Sequence, residues 1–239
     1  MRLLYFTFIL LSTGLTYGQS IIGVKVNGGL SYLKSELKTY PPTPMTQEYY
    51  PMFSGQGGLT YQYCFKNRFV IGTELLYSQI EGKDIENGLS GVLFNNNFIR
   101  DGHYQTTIYR HIYYLGLPFY VGYNLKKMTL NLGVQTNLKF GGGFHWYTNA
   151  AYDNGKIETF DFKSNSLNIN KMDFGLRIGI FYKLSDKFSI ETNYYYGLTN
   201  LVPVDSNDEP PVWNIQQLTF GLRYELFTLK EKNRETKQK

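Results

Sequence analysis

This 239-residue chain is short of several things, and each shortage closes off a class of protein. It has one cysteine, Cys64, so no disulfide forms within the chain, and its stability needs another source. Long hydrophobic runs are missing as well. The longest nearly uncharged apolar stretch, Leu3 to Leu15, is about 13 residues, whereas a membrane-spanning helix needs about 20. Charged residues make up only 18% of the chain, which excludes disorder when 17% of it is aromatic. What remains is a chain with 22 Tyr, 17 Phe and 24 Gly, rich in strand-forming residues and with a mean hydropathy of −0.32.

The N-terminus reads as an export signal: Met1-Arg2 carries the charge, Leu3 to Leu11 the apolar core, and Thr16-Tyr17-Gly18 the small-x-small cleavage pattern. We therefore expect a signal peptide over 1–18, one barrel domain over 19–227 and a basic periplasmic tail over 228–239. Much of the net charge of +5 sits in that tail, where Lys230, Lys232, Arg234, Lys237 and Lys239 outnumber Glu231 and Glu235. No basic stripe with interleaved aromatics occurs elsewhere, so no nucleic-acid partner is expected.

The informative pattern is period-2 alternation, which repeats eight times. Strands are predicted at about 21–33, 52–65, 69–81, a fourth ending near Asn124, then 129–144, 169–184, 188–198 and 214–227. In the fourth, Tyr113, Leu115, Leu117, Phe119, Val121 and Tyr123 alternate with Tyr114, Gly116, Pro118, Tyr120 and Gly122. Connections are alternately short (Lys66-Asn67-Arg68, Leu125 to Met128, Ser185-Asp186-Lys187) and long (34–51, 82–104, 145–168, 199–213). This predicts an all-β fold: an eight-stranded antiparallel up-and-down transmembrane β-barrel with short periplasmic turns and long extracellular loops. Asp153-Asn154-Gly155 predicts a hairpin that extends strands five and six above the membrane.

Aromatics of the apolar parity sort by height. Phe65, Phe69, Tyr123, Tyr182, Phe188 and Tyr224 lie beside the short turns; Tyr32, Phe53, Tyr77, Tyr113, Phe140 and Tyr196 lie toward the loops, with aliphatic residues between. Two aromatic girdles are what a bilayer selects, so this parity is expected to face lipid. The alternative, a soluble periplasmic lipocalin-like carrier, requires the same parity to face inward. The other parity then lines the lumen and contains Lys25, Glu74, Lys139, Asp173, Arg177, Glu191, Arg223 and Glu225, an interior polar network with four charges of each sign. Glu191, Arg223, Glu225 and Lys25 come from neighbouring strands and are expected to meet in the turn-side half. They act as a structural plug or as a polar conduit; an eight-stranded lumen is just large enough to be filled by side chains, which favours the plug.

Catalytic, cofactor-binding and metal residues are all expected to be none. His103 and His145 fall in loops or at the rim, His111 lies at the loop end of strand four, two residues from Tyr113, and none has a Ser or Thr two residues on along the same face, as a triad would need. Asp205-Ser206-Asn207-Asp208-Glu209 begins like a calcium loop, but Pro210 stands where the turn glycine belongs and no closing Glu follows. The loops around Tyr40-Pro41-Pro42-Thr43-Pro44, Tyr49-Tyr50-Pro51 and Pro203 to Trp213 are stiff and aromatic, as recognition surfaces are.

The strand-three run Phe69-Val70-Ile71-Gly72-Thr73-Glu74-Leu75-Leu76-Tyr77-Ser78 and the strand-four run Tyr113-Tyr114-Leu115-Gly116-Leu117-Pro118-Phe119-Tyr120 resemble the small outer-membrane β-barrel proteins of Bacteroidetes known as the PorT or porin-like family. The resemblance spans the mature chain, and its more characteristic pieces are the Glu-x-x-Tyr-Ser of strand three and the Leu-x-x-Pro of strand four. It implies an outer-membrane barrel of a Gram-negative bacterium; the namesake is associated with a protein-secretion apparatus. The chain departs from the common barrel pattern after Phe227, where a polar tail follows the last aromatic. The expected role is non-enzymatic: a filled barrel that contacts outer-membrane lipid with its wall, and a surface protein or glycan with its long loops. The alternative is a narrow porin-like channel for small solutes.

Overall fold

The computed structural model describes residues 18–36, 46–66, 68–94, 97–202 and 212–230. The expected leader up to residue 17, the prolines of 41–44, the acidic run 205–209 and the tail from 231 lie outside the described residues. The described residues form nine strands: β1 (Gly18–Glu36), β2 (Thr46–Phe65), β3 (Phe69–Phe94), β4 (Asn97–Leu125), β5 (Met128–Tyr152), β6 (Ile157–Ser164), β7 (Met172–Lys183), β8 (Phe188–Gly197) and β9 (Val212–Lys230). All pair antiparallel in one sheet. Eight of them close the ring β1-β2-β3-β4-β5-β7-β8-β9, and β6 is added to the upper part of β5. The β5–β6 turn is the Asp153-Asn154-Gly155 hairpin, with Gly155 at φ 80°, a conformation that glycine adopts without cost. β9 runs three residues past the boundary expected at 227, pairing Thr228, Leu229 and Lys230 with β1.

The ring is strongly lopsided. β3, β4 and β5 have 26, 29 and 25 residues, while β7 and β8 have 12 and 10. A tilted strand crosses a bilayer in about 9–11 residues. One side of the barrel therefore ends at the membrane surface, and the other continues outward as a tall wall. The stretch 82–104, expected as a loop, is part of that wall: β3 runs on to Phe94 and β4 starts at Asn97. Above the bilayer neither face touches lipid, so apolar alternation fades there while the backbone ladder continues. His103 and His145, expected in loops or at the rim, stand on β4 and β5 within this wall.

Within the membrane the apolar parity points outward. Val26, Leu117, Ile178 and Leu222 are 64%, 53%, 55% and 49% exposed on the outer face. Ring contacts mark both girdles: Phe69 with Tyr123 at 5.3 Å and Phe188 with Tyr224 at 4.8 Å on the turn side, Tyr77 with Phe140 at 5.7 Å on the other. This outward face excludes the lipocalin-like alternative, whose apolar parity has to line the cavity.

The inward parity changes character with height. Its turn-side half is polar, whereas its outer half is an apolar core of Leu33, Ile80, Ile112, Tyr195, Leu201 and Ile215, all 3% exposed or less. The segment between β6 and β7 folds into this core through Leu167 and Ile169, and Asn170 N–H donates to the Leu201 carbonyl at 2.7 Å. The barrel mouth is thus stoppered by its own connections.

Candidate functional site

Alternation places Lys25 of β1, Glu74 of β3, Arg177 of β7, Glu191 of β8 and Arg223 of β9 on the lumen side, and the ring brings them into one cluster. Glu74 is the hub. It accepts from Lys25 Nζ at 2.9 Å, Arg177 Nη1 at 2.7 Å and Arg223 Nη2 at 2.5 Å. Glu191 is held by Lys25 Nζ at 2.5 Å and by Arg223 Nη2 at 3.0 Å. These side chains are at most 3% exposed, so the lumen is closed at this level.

Neutral groups complete the cluster. Asn27 and Asn193 donate amide N–H to Glu191 at 2.6 and 3.0 Å, and Asn193 Oδ1 accepts from Arg177 Nη2 at 2.7 Å. Tyr120 Oη accepts from Gln62 at 2.9 Å and from Arg223 Nη1 at 3.2 Å, and the Arg223 guanidinium lies 4.1 Å from the centre of the Phe181 ring. Buried charges persist only when paired and hydrogen-bonded, and here nearly every donor has an acceptor. Two glycines make room for this: a Cβ on Gly72 would lie 2.3 Å from the Tyr120 ring, and one on Gly179 2.4 Å from Asn193 Oδ1.

The other three charged residues expected in the network lie elsewhere. Glu225 sits at the turn-side rim, 3.7 Å from Lys183. Although it shares a face with Arg223, it lies two residues further along β9, about 6.6 Å of strand, and that places Glu225 below the cluster. Its expected role is taken by Glu74 and Arg177, which reach across the narrow lumen. Lys139 is half-buried and donates to the Leu167 carbonyl, tying the stopper to β5. Asp173 is fully buried and, among the described residues, has no cation beside it; it accepts from Tyr195 Oη at 2.6 Å and from Asn137 Nδ2 at 3.2 Å.

Tyr120, Asn27 and Asn193 were not among the expected site residues, although their lumen-side parity is readable. A second buried ion pair was also missed, because its acid was read as part of a loop. Asp84 of β3 and Arg110 of β4 bond directly above the apolar stopper, with the Arg110 guanidinium 4.5 Å from the centre of the Trp213 ring.

On the outward face of the wall, five strands contribute one row. Tyr50 pairs with Lys83, Lys83 with Tyr109, Tyr109 with His145 and His145 with Lys163. Lys83 Nζ lies between two rings, 5.4 Å from that of Tyr50 and 5.5 Å from that of Tyr109. His145 packs on Tyr109 at 6.2 Å and bonds Asp161 at 2.8 Å. The row sets two tyrosine rings and a histidine beside two lysines on the outward face of the sheet.

Residues 17–202 match the family described as "Outer membrane protein beta-barrel domain". Among solved structures, the chain is similar to Neisserial surface protein A (10% identity, TM-score 0.42, covering 87% of this chain and 98% of that one). It is also similar to OprG from Pseudomonas aeruginosa (14%, 0.39, 90% and 97%) and to Ail, the attachment invasion locus protein of Yersinia pestis, solved with the heparin analogue sucrose octasulfate (12%, 0.37, 87% and 99%). No curated protein sequence matches.

Proposed function

Because the chain belongs to the outer membrane protein beta-barrel domain family, we propose that it is a sealed barrel that recognises a glycan or protein at the cell surface through its outer wall. It is an outer-membrane protein, and the ring fixes its strands there. The observation that carries the proposal is the pairing of a lumen filled at two levels with a wall of strands far longer than the membrane requires. A channel needs the first feature absent. A merely structural barrel has no need of the second.

The row Tyr50, Lys83, Tyr109, His145 and Lys163 is the part of the wall suited to recognition. Aromatic faces stack on sugar rings, and ammonium groups held against rings meet acidic substituents. We read the protein as non-enzymatic and exported by residues 1–18, and assign it to the PorT-like barrels on Glu74-Leu75-Leu76-Tyr77-Ser78 and Leu115-Gly116-Leu117-Pro118. The test is binding of the detergent-refolded protein to a glycan array and to intact cells, alongside conductance in planar bilayers. Binding that is lost in a Tyr109→Ala, Lys83→Gln variant, with no conductance, supports the proposal. Steady conductance by the folded protein overturns it.

A further inference from the structure

The periplasmic end of the lumen is not filled. Below the ion cluster a cavity of about 220 Å³ opens between the short turns. Lys126, Lys127 and Lys183 line it, Arg223 contributes to its inner wall, and Gln62, Cys64 and Glu225 are among the residues of its sides. The carboxylate of Glu225 is 3.7 Å from Lys183. Lys126 and Lys127 are exposed and, among the described residues, pair with no carboxylate. The neighbouring turn adds Arg68, also exposed.

Two independent features make this more than a scatter of surface lysines. First, the sealed cluster reaches the cavity through a cation, Arg223, which Glu74 and Glu191 hold in place from above. The guanidinium of Arg223 is buried and also lines the cavity, so an anion there is attracted from above as well as from the rim. Second, the non-glycine residues with left-handed backbone among those described are Arg68 (φ 73°) and Lys126 (φ 57°), both cations in these turns. Glycine or asparagine takes that conformation at lower cost, so the turns keep cations at positions that do not favour them.

We propose that this turn-side vestibule is a binding site for a phosphate group, either free phosphate or the headgroup of an anionic phospholipid of the periplasmic leaflet. The volume admits a phosphate with a short alcohol attached. The site lies on the opposite side of the membrane from the recognition wall and does not depend on it.

Cys64, the only thiol of the chain, lines the vestibule and reports on its occupancy. The experiment measures alkylation of Cys64 by iodoacetamide in the full-length folded protein. In neutral detergent at constant ionic strength, inorganic phosphate at about ten times its dissociation constant slows the reaction about tenfold, since about a tenth of the sites stay empty. The double variant Lys126→Asn, Lys127→Gln folds, because Asn tolerates the left-handed turn, and loses the protection. Protection by phosphate in detergent identifies the free ion as the source. Protection seen only in vesicles of phosphatidylglycerol, and not of phosphatidylcholine, identifies a lipid headgroup. Equal rates under all these conditions, or protection that survives in the double variant, overturn the proposal.

Discussion

Glu74 of β3 and Arg223 of β9 are 149 residues apart in the chain, on strands that do not pair, and meet at 2.5 Å in the middle of the lumen. Their contact crosses the barrel rather than following its wall. It braces opposite sides of the ring at the level where the lumen is sealed.

Removing one member of such a buried pair strands its partner's charge, which costs about 3–5 kcal/mol. Glu74→Gln, which leaves Lys25, Arg177 and Arg223 with Glu191 alone, is expected to lower stability by that amount in urea unfolding from lipid vesicles. Losses below about 1 kcal/mol, the range of an exposed pair, would show that the cluster is not a brace.

Asp173 makes the opposite prediction. Its carboxylate is buried with no cation beside it among the described residues, and an amide retains an acceptor for Tyr195. Asp173→Asn is expected to leave stability equal or higher by about 1 kcal/mol, because the amide keeps the acceptor and removes the cost of holding an acid in a buried site. A loss as large as that of Glu74→Gln would contradict this.

The lipid face is tested by height. Ile178 lies midway along the membrane-spanning part of β7 and Tyr182 in the turn-side girdle. Ile178→Arg is expected to cost about 2–4 kcal/mol and Tyr182→Arg about 0–1, following the depth dependence of charge in a bilayer. Equal costs would remove the bilayer from its place around these strands.

The stopper and the ion cluster seal the lumen separately. Leu201→Ala, in the fully buried outer core, is expected to cost about 2–5 kcal/mol and still give no conductance in planar bilayers, because the cluster remains closed. Conductance in this variant would mean that the outer core alone holds the barrel shut.

Much of this architecture is legible in the residues themselves. Leu115, Leu117, Phe119 and Val121 have to face one medium, and Gly116, Tyr120 and Gly122 another, because a strand turns successive side chains to opposite faces. Where that medium ceases to be lipid, the signal ends. The run from Gly82 to Phe94 carries no clear alternation, yet β3 continues through it, paired with β4. Its strand character comes from neighbours, not from its own composition. The Asp84–Arg110 pair was hidden for the same reason.

Sequence alone thus determined which residues enter the lumen, since parity is a local property of each strand, together with the number of strands closing the ring and the girdles at its two rims. Tertiary structure decided which of the lumen residues meet. Height along the barrel depends on the register of every strand in the ring, and lateral reach depends on its closure; together these join Glu74 to Arg223, leave Glu225 at the rim and give Asp173 no cation among the described residues.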